Sequence, residues 1–320
     1  MVPRSPRAAT HCLTGSVHLE LALDDVPNFV ERVIYTARMD YKLGVIVIHG
    51  IGEQKADFAQ GLIDEVSQRL GARASEVCWM PVWWAPLVEP AETGLMERLS
   101  AGGHLDWQWL RRFVVHFLAD AVAYQRVPGE SAHPGLYARM HTLIADKLGE
   151  LRSLVRGAAA PAASDDPPLL VIAHSLGGHI MSNYIWDQQH PHESRGEPLA
   201  PAFVRAETLA GIVTFGCNIP LFALALPELL PIQFPPPSLP AQLKAAAKWL
   251  NLYDPDDVLG FPLGPLSPAY ARTVVDRAVS VGGLLTAWNP AAHNAYWTDN
   301  DVTKPIAEQI TKVLASVTRG

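Results

Sequence analysis

The chain has 320 residues, 49% of them hydrophobic, with a formal charge of -7 and an isoelectric point near 5.9. That is enough apolar material to bury a substantial core, as one large α/β domain with insertions or as two small domains. The acidic balance, with no block of Lys or Arg, argues against a phosphate-tracking surface and so against nucleic acid as a partner. Cys12, Cys78 and Cys217 are too widely spaced for a disulfide framework or a thiolate metal site, and they suit a reducing, cytoplasmic setting.

Residues 1 to about 40 show no clear period and read as an N-terminal extension to a domain at 41–320. Met39, just before the first strong strand, is one candidate for an alternative start; Val30, Val33, Ile34 and Ala37 could equally form a short docking helix. Glu20, Asp24 and Asp25 interrupt the apolar stretch there, which argues against a secretory signal. No run of eighteen apolar residues occurs, so no membrane span is expected, and peripheral membrane contact stays open.

Leu43 to Ile48 is a continuous apolar run, as expected of a central parallel strand covered on both faces. It ends in His49-Gly50-Ile51-Gly52-Glu53-Gln54. Two glycines there let the backbone bend so that amide N–H groups point into a cleft and hold a negative oxygen; the alternative is a plain strand-to-helix turn. Ala56 to Leu70 predicts a helix, and Val77 to Trp84 a strand whose tryptophans line a pocket mouth or fill the core. The text from about 92 to 156 reads as a helical insertion, with helices at Leu105–Tyr124 and Tyr137–Leu154. His104, His116 and His141 within it read as ordinary helix histidines.

An Ala- and Pro-rich linker, Gly157 to Pro168, leads into Leu169–Ala173, a run too short for a helix and so a buried strand. Ser175 follows, flanked by Ala173 and Gly177, and then Ile180, Met181, Tyr184 and Ile185 recur at helical spacing up to Pro191. A small-x-Ser-x-Gly match arises by chance in roughly one chain of this length in four, so the strand and helix around it carry the reading. Such an elbow forces its apex into sparsely populated backbone angles and holds the hydroxyl clear of the backbone. Ser175 is therefore the candidate nucleophile, against the plainer reading of a serine in a tight turn.

His190 and His192 lie in a polar loop with no third ligand at metal-site spacing. Leu209 to Gly216 reads as another buried strand. Ile219 to Pro240 is apolar but holds Pro220, Pro227, Pro231, Pro235, Pro236, Pro237 and Pro240, which exclude a long helix or central strand. An irregular segment remains, either a lid over a cleft or a packed connection. Ala246 to Tyr253 predicts a strand that runs into a turn holding Asp254, Asp256 and Asp257. Thr273 to Val281 alternates like an edge strand, and His293 lies in a loop ahead of a helix from about Val302 to Val317.

A serine hydroxyl is a poor nucleophile unless an imidazole takes its proton, and the imidazole needs a carboxylate to fix its tautomer and stabilise its charge. Ser175, Asp257 and His293 occur in the chain order of an α/β-hydrolase. Each follows a predicted strand, so a parallel sheet would gather them at its carboxyl edge. His293 is the last histidine and lies alone beyond the acidic turn. His174 adjoins the serine, but an elbow points neighbouring side chains apart. Asp254 and Asp256 compete with Asp257 as the acid, Asp254 being the first alternative. Backbone N–H groups of Leu176 and Ile51 are the candidate oxyanion donors.

His49 to Gln54, Ala173 to Gly178, Trp249 to Leu263 with its Asp-Asp-Val, and His293-Asn294-Ala295-Tyr296-Trp297 resemble the α/β-hydrolase superfamily. More narrowly they resemble lipase-like serine hydrolases related to the PGAP1-like and DUF676 groups, over roughly residues 43 to 315. Ala173 stands where glycine is commoner in such an elbow. The resemblance implies a central, mostly parallel sheet flanked by helices, and ester or related acyl hydrolysis without metal or cofactor. The expectation is a lipase-like serine carboxylester hydrolase that attacks a small-molecule or lipid-like apolar ester through an acyl-enzyme. Its rivals are a non-catalytic binding protein of the same fold, and a thioesterase, amidase or acyltransferase.

Overall fold

The computed structural model describes residues 40–51, 54–103, 106–107, 111, 124, 135–157, 166–191, 200–223, 228–282 and 292–317. The N-terminal extension, most of the helix expected at 105–124, much of the linker and the loop at 192–199 lie outside the described residues.

Six strands, β1 (Leu43–Ile48), β2 (Val77–Val82), β3 (Leu169–His174), β4 (Leu209–Phe215), β5 (Lys248–Tyr253) and β6 (Val274–Ala278), form one sheet in the order β2-β1-β3-β4-β5-β6. Every pairing is parallel. The described helices are α1 (Gln60–Leu70), α2 (Glu89–Ala101), α3 (Leu136–Arg156), α4 (Leu176–Gln189), α5 (Ile219–Ala223), α6 (Ala241–Ala246), α7 (Pro268–Thr273) and α8 (Asn300–Val317). All residues of β1, β3 and β4 are buried, which is why these strands read as unbroken apolar runs instead of alternations.

The pleat divides the core into two layers. Leu43, Val45, Val47, Leu170 and Ile172 face one side, where they join apolar residues of α1 and α8. Ile46, Ile48, Val171 and Ala173 face the other, with residues of α3 and α4. A helix layer on each face leaves the carboxyl edge of the sheet free to carry loops. The chain moves from β1 outward to β2 and returns to place β3 on the other side of β1. That reversal opens a crevice between the carboxyl ends of β1 and β3, and the loops holding His49-Gly50-Ile51 and Ser175 leave the sheet there.

Several boundaries differ from the sequence reading. Residues 56–59 form a turn, so the helix expected from Ala56 begins at Gln60. The strand expected from Ala246 begins at Lys248, because Ala241–Ala246 are helical. Trp79 and Trp84 are core residues, and Trp83 alone of the three is exposed. In the proline-rich segment α5 is a five-residue helix and no described residue is in a strand. Ile232 and Leu239 are buried, and Gln233 is held by both ends of the Gln189 amide, its N–H at 2.8 Å and its carbonyl at 2.9 Å.

A buried polar network joins the far half of the sheet to the acidic turn. Asn251 of β5 accepts from Thr214 Oγ1 at 2.8 Å and donates to Asp276 Oδ1 at 2.7 Å and to the Phe261 carbonyl at 2.9 Å. The Asp276 carboxylate also accepts from the N–H groups of Leu263 and Gly264. Replacing Asn251 by Leu strands several of these groups in the core. N251L is expected to lose about 3 kcal/mol of stability, read as a lower urea midpoint at unchanged slope.

Candidate active site

Ser175 sits at the N-terminus of α4 with φ 53° and ψ -126°. Positive φ in a residue bearing a Cβ costs on the order of 1–3 kcal/mol and persists only where the surroundings over-determine it. Here they do. The Ser175 N–H donates to the Phe215 carbonyl at 3.0 Å, and the serine carbonyl accepts from Gly178 at 3.0 Å. A Cβ at Gly177 would lie 2.7 Å from the His49 carbonyl oxygen, and one at Gly50 would lie 2.4 Å from the Ser175 Cβ. The elbow therefore needs glycine at 177, as its motif indicates, and also at 50, where the β1 loop presses directly on the serine.

His293 Nε2 lies 2.7 Å from Ser175 Oγ, and His293 Nδ1 lies 2.8 Å from Asp257 Oδ2. The three side chains come from the end of β3, the turn after β5 and a helical turn at Ala292–Thr298 beyond β6. All three residues are buried. Burial opposes ionisation of Asp257. The hydrogen bond and charge of His293, the Leu259 N–H on Oδ1 at 3.0 Å and the Tyr296 hydroxyl on Oδ2 at 3.0 Å outweigh it and hold the carboxyl below its ordinary range.

The other two candidate acids have different work. Asp254 Oδ1 accepts from the Asp256 N–H at 2.8 Å and Oδ2 from the Val281 N–H at 2.6 Å, so its carboxylate braces the turn instead of meeting the imidazole. Asp256 is exposed. Leu176 is the first residue of α4, where helix N–H groups lack intrahelical partners, and Ile51 follows the glycine that presses on the serine. Both candidate oxyanion donors thus adjoin Ser175.

Two residues without an assigned role in the sequence reading complete the arrangement. Tyr296 donates to Asp257 and accepts from the Asp254 N–H at 2.9 Å, linking the acid to its own turn. A Cβ at Gly260 would lie 2.6 Å from Asp257 Oδ2, so this packing also depends on a glycine. His174, the serine's neighbour in the chain, meets His293. Its Nε2 donates to the His293 carbonyl at 2.7 Å, and the two rings lie 4.7 Å apart. Burial, then the charge of His293, push its pKa well below the ordinary histidine value, so it stays neutral. The sequence signal for Tyr296 was its place three residues after His293; for His174 none existed.

Among the described residues no group of three or more His, Cys, Asp or Glu is placed to hold a metal ion. Cys78 and Cys217 are buried and neither is in a disulfide, and burial pushes the thiol of Cys217 up to about 12. No described helix is long and apolar enough to cross a membrane.

A six-stranded parallel sheet in this order, with a strained serine between β3 and α4 and a carboxylate and histidine after β5 and β6, is an α/β-hydrolase fold. No family model matches the chain, and no curated protein does. Among solved structures, one from Xanthomonas campestris pv. campestris is described by inference as a hydrolase of the alpha/beta superfamily. It is 14% identical, with 83% of this chain and 98% of that chain covered at a TM-score of 0.35. At that score the backbones agree only loosely, and the fold assignment rests on the sheet order and the elbow.

His49 is buried and His179 partly so, and desolvation lowers each to about 4. The unfolded chain takes up these protons near pH 6.5 and the folded chain only near 4, so acidification through that window favours unfolding. Stability should fall by about 2 kcal/mol per histidine between pH 7 and pH 5. Urea unfolding at the two pH values checks this; an unchanged midpoint contradicts it.

Proposed function

We propose that the protein is a serine hydrolase that cleaves carboxylic esters with apolar acyl groups through an acyl-enzyme. One observation carries the reading: the unbroken hydrogen-bond chain from Ser175 Oγ through His293 to Asp257. The Oγ attacks the ester carbonyl while its proton passes to His293 Nε2, and the ionised Asp257 stabilises the imidazolium that forms. The developing oxyanion is met by the N–H groups of Leu176 and Ile51. His293 then protonates the departing alcohol; water next attacks the acyl-enzyme, giving its proton to His293, which returns it to Ser175 Oγ as the carboxylic acid leaves.

A non-catalytic protein gains nothing from holding a strained serine against a paired histidine, which favours the enzyme over a binding role. The apolar, lipase-like preference draws on the motif resemblance to the PGAP1-like and DUF676 groups. It also draws on apolar side chains exposed near the acid and on the proline-rich segment, Val258, Leu221 and Leu230. Ser175 has no exposed surface, so an ester must displace neighbouring groups to reach it.

Fluorophosphonate labelling and turnover of p-nitrophenyl esters of graded chain length are expected in the wild type and absent in S175A. Activity confined to short chains would leave an esterase and remove the lipase-like preference. No labelling of well-folded wild type would return the binding-protein reading. Asp257→Asn should lower kcat by on the order of 10³-fold or more, and Asp254→Asn far less. Tyr296→Phe, which removes one hydrogen bond to a charged acceptor, should cost roughly tenfold in kcat.

A further inference from the structure

Two hydrogen bonds determine where the proton of His49 sits. Its Nε2 lies 3.1 Å from the backbone nitrogen of Trp84, which can only donate, so Nε2 is the acceptor. Its Nδ1 lies 2.7 Å from the Gly50 carbonyl, which can only accept, so Nδ1 carries the hydrogen. The ring is thus a neutral imidazole in a single tautomer, in keeping with its burial. It has little room to turn. The Trp84 indole stacks on it at 4.8 Å and 11° and donates through Nε1 to the His49 carbonyl at 2.9 Å, while Phe58 meets it edge-on at 4.8 Å.

This has a geometric consequence for the next peptide. The Gly50–Ile51 bond is trans, since Phe234–Pro235 is the one cis peptide recorded among the described residues. In a trans peptide the carbonyl of one residue and the N–H of the next point in opposite directions. With the Gly50 carbonyl turned onto the His49 ring, the Ile51 N–H is turned away from that ring. Gly50 itself lies against the serine: a Cβ on it would be 2.9 Å from Ser175 Oγ. A glycine in such a loop tolerates either orientation of the peptide that follows it, so something other than sterics must select one.

We propose that His49 is the positioning residue for the oxyanion donor: its Nδ1–H, tethered to the Gly50 carbonyl, sets the Gly50–Ile51 peptide so that the Ile51 N–H faces the oxygen developing at Ser175. The inference rests on the serine-hydrolase reading above. The buried histidine ending β1 serves the reaction without touching substrate, by fixing a dipole that would otherwise reorient as charge develops.

The test compares H49N with H49Q in the full chain. The asparagine amide sits where Nδ1 sits, keeping the tether and giving up the Trp84 N–H; the glutamine amide reaches the Nε2 position and does the reverse. H49N should retain kcat within about tenfold, and H49Q should lose on the order of 10²-fold, the scale of a lost oxyanion donor, with KM little changed. Affinity for a trifluoromethyl ketone, which adds to serine to form an oxyanion, should fall in step with kcat/KM. Equal kcat in H49Q and wild type, or equal losses in both variants that track their urea midpoints, would overturn the assignment. Should H49Q not fold, H49N decides alone: a loss as deep as that of Ile51→Pro, which deletes the donor itself, refutes the tether. Wild type that neither labels with fluorophosphonate nor turns over ester defeats the underlying reading; wild type that does both, beside an unimpaired H49Q, defeats this inference alone.

Discussion

Around Ser175, three glycines approach neighbouring residues at distances where a Cβ would not fit. Gly50 touches the serine, Gly177 touches the carbonyl of His49, and Gly178 lies where a Cβ would be 2.7 Å from Cys217 Sγ. This crowding brings the β1 loop, the elbow and the base loop within hydrogen-bond range of one another. The strain at Ser175 is a sizeable part of the roughly 5–15 kcal/mol that holds a domain folded. It persists because β3 is buried on both faces and α4 is anchored through Ile180, Met181, Tyr184 and Ile185, leaving the elbow no relaxed alternative.

The same small region holds three buried histidines with divided roles. His49 and His174 are kept neutral chiefly by desolvation and act as fixed hydrogen-bond donors to the carbonyls of Gly50 and His293. His293 alone contacts both a hydroxyl and a carboxylate. In a medium of low effective dielectric this division matters to the proposed mechanism, because an imidazolium at His174, 4.7 Å from the His293 ring, would oppose a charge on His293. A chain of ordinary core contacts supports it: Trp84 clamps His49 from the end of β2, and Phe215 and Trp297 pack on His174.

On the other side of the site, Asp257 is fixed through the sheet. Asn251 and Asp276 tie β5 and β6 to the segment at 261–264, and Tyr296 joins the Asp254 backbone to the Asp257 carboxylate. The acid is thereby held by contacts that do not pass through the imidazole. A carboxylate supported in this way would keep its place during the proton transfer proposed between Ser175 and His293.

Much of this was legible in the residues alone, for reasons of local physics. Strands buried on both faces must be continuous apolar runs, so Leu43–Ile48, Leu169–Ala173 and Leu209–Gly216 stood out. A strand that turns at once into a helix needs small neighbours, so Ala173 and Gly177 marked Ser175. Ser175, Asp257 and His293 each follow a predicted strand, and the parallel sheet that those runs imply gathers such residues at one carboxyl edge. Other matters had no local signature. Asp254, Asp256 and Asp257 share one chemistry, and only the path of the turn directs Asp257 toward the imidazole while Asp254 caps backbone N–H groups. Trp79, Trp83 and Trp84 are alike in sequence and differ in burial because the strand pleat and its exit face different layers. His174 meets the base, and Trp84 fixes His49, across 119 and 35 residues respectively. Short-range pattern specifies the strands and the elbow, whereas partners so far apart in the chain are chosen only when the sheet brings its carboxyl ends together.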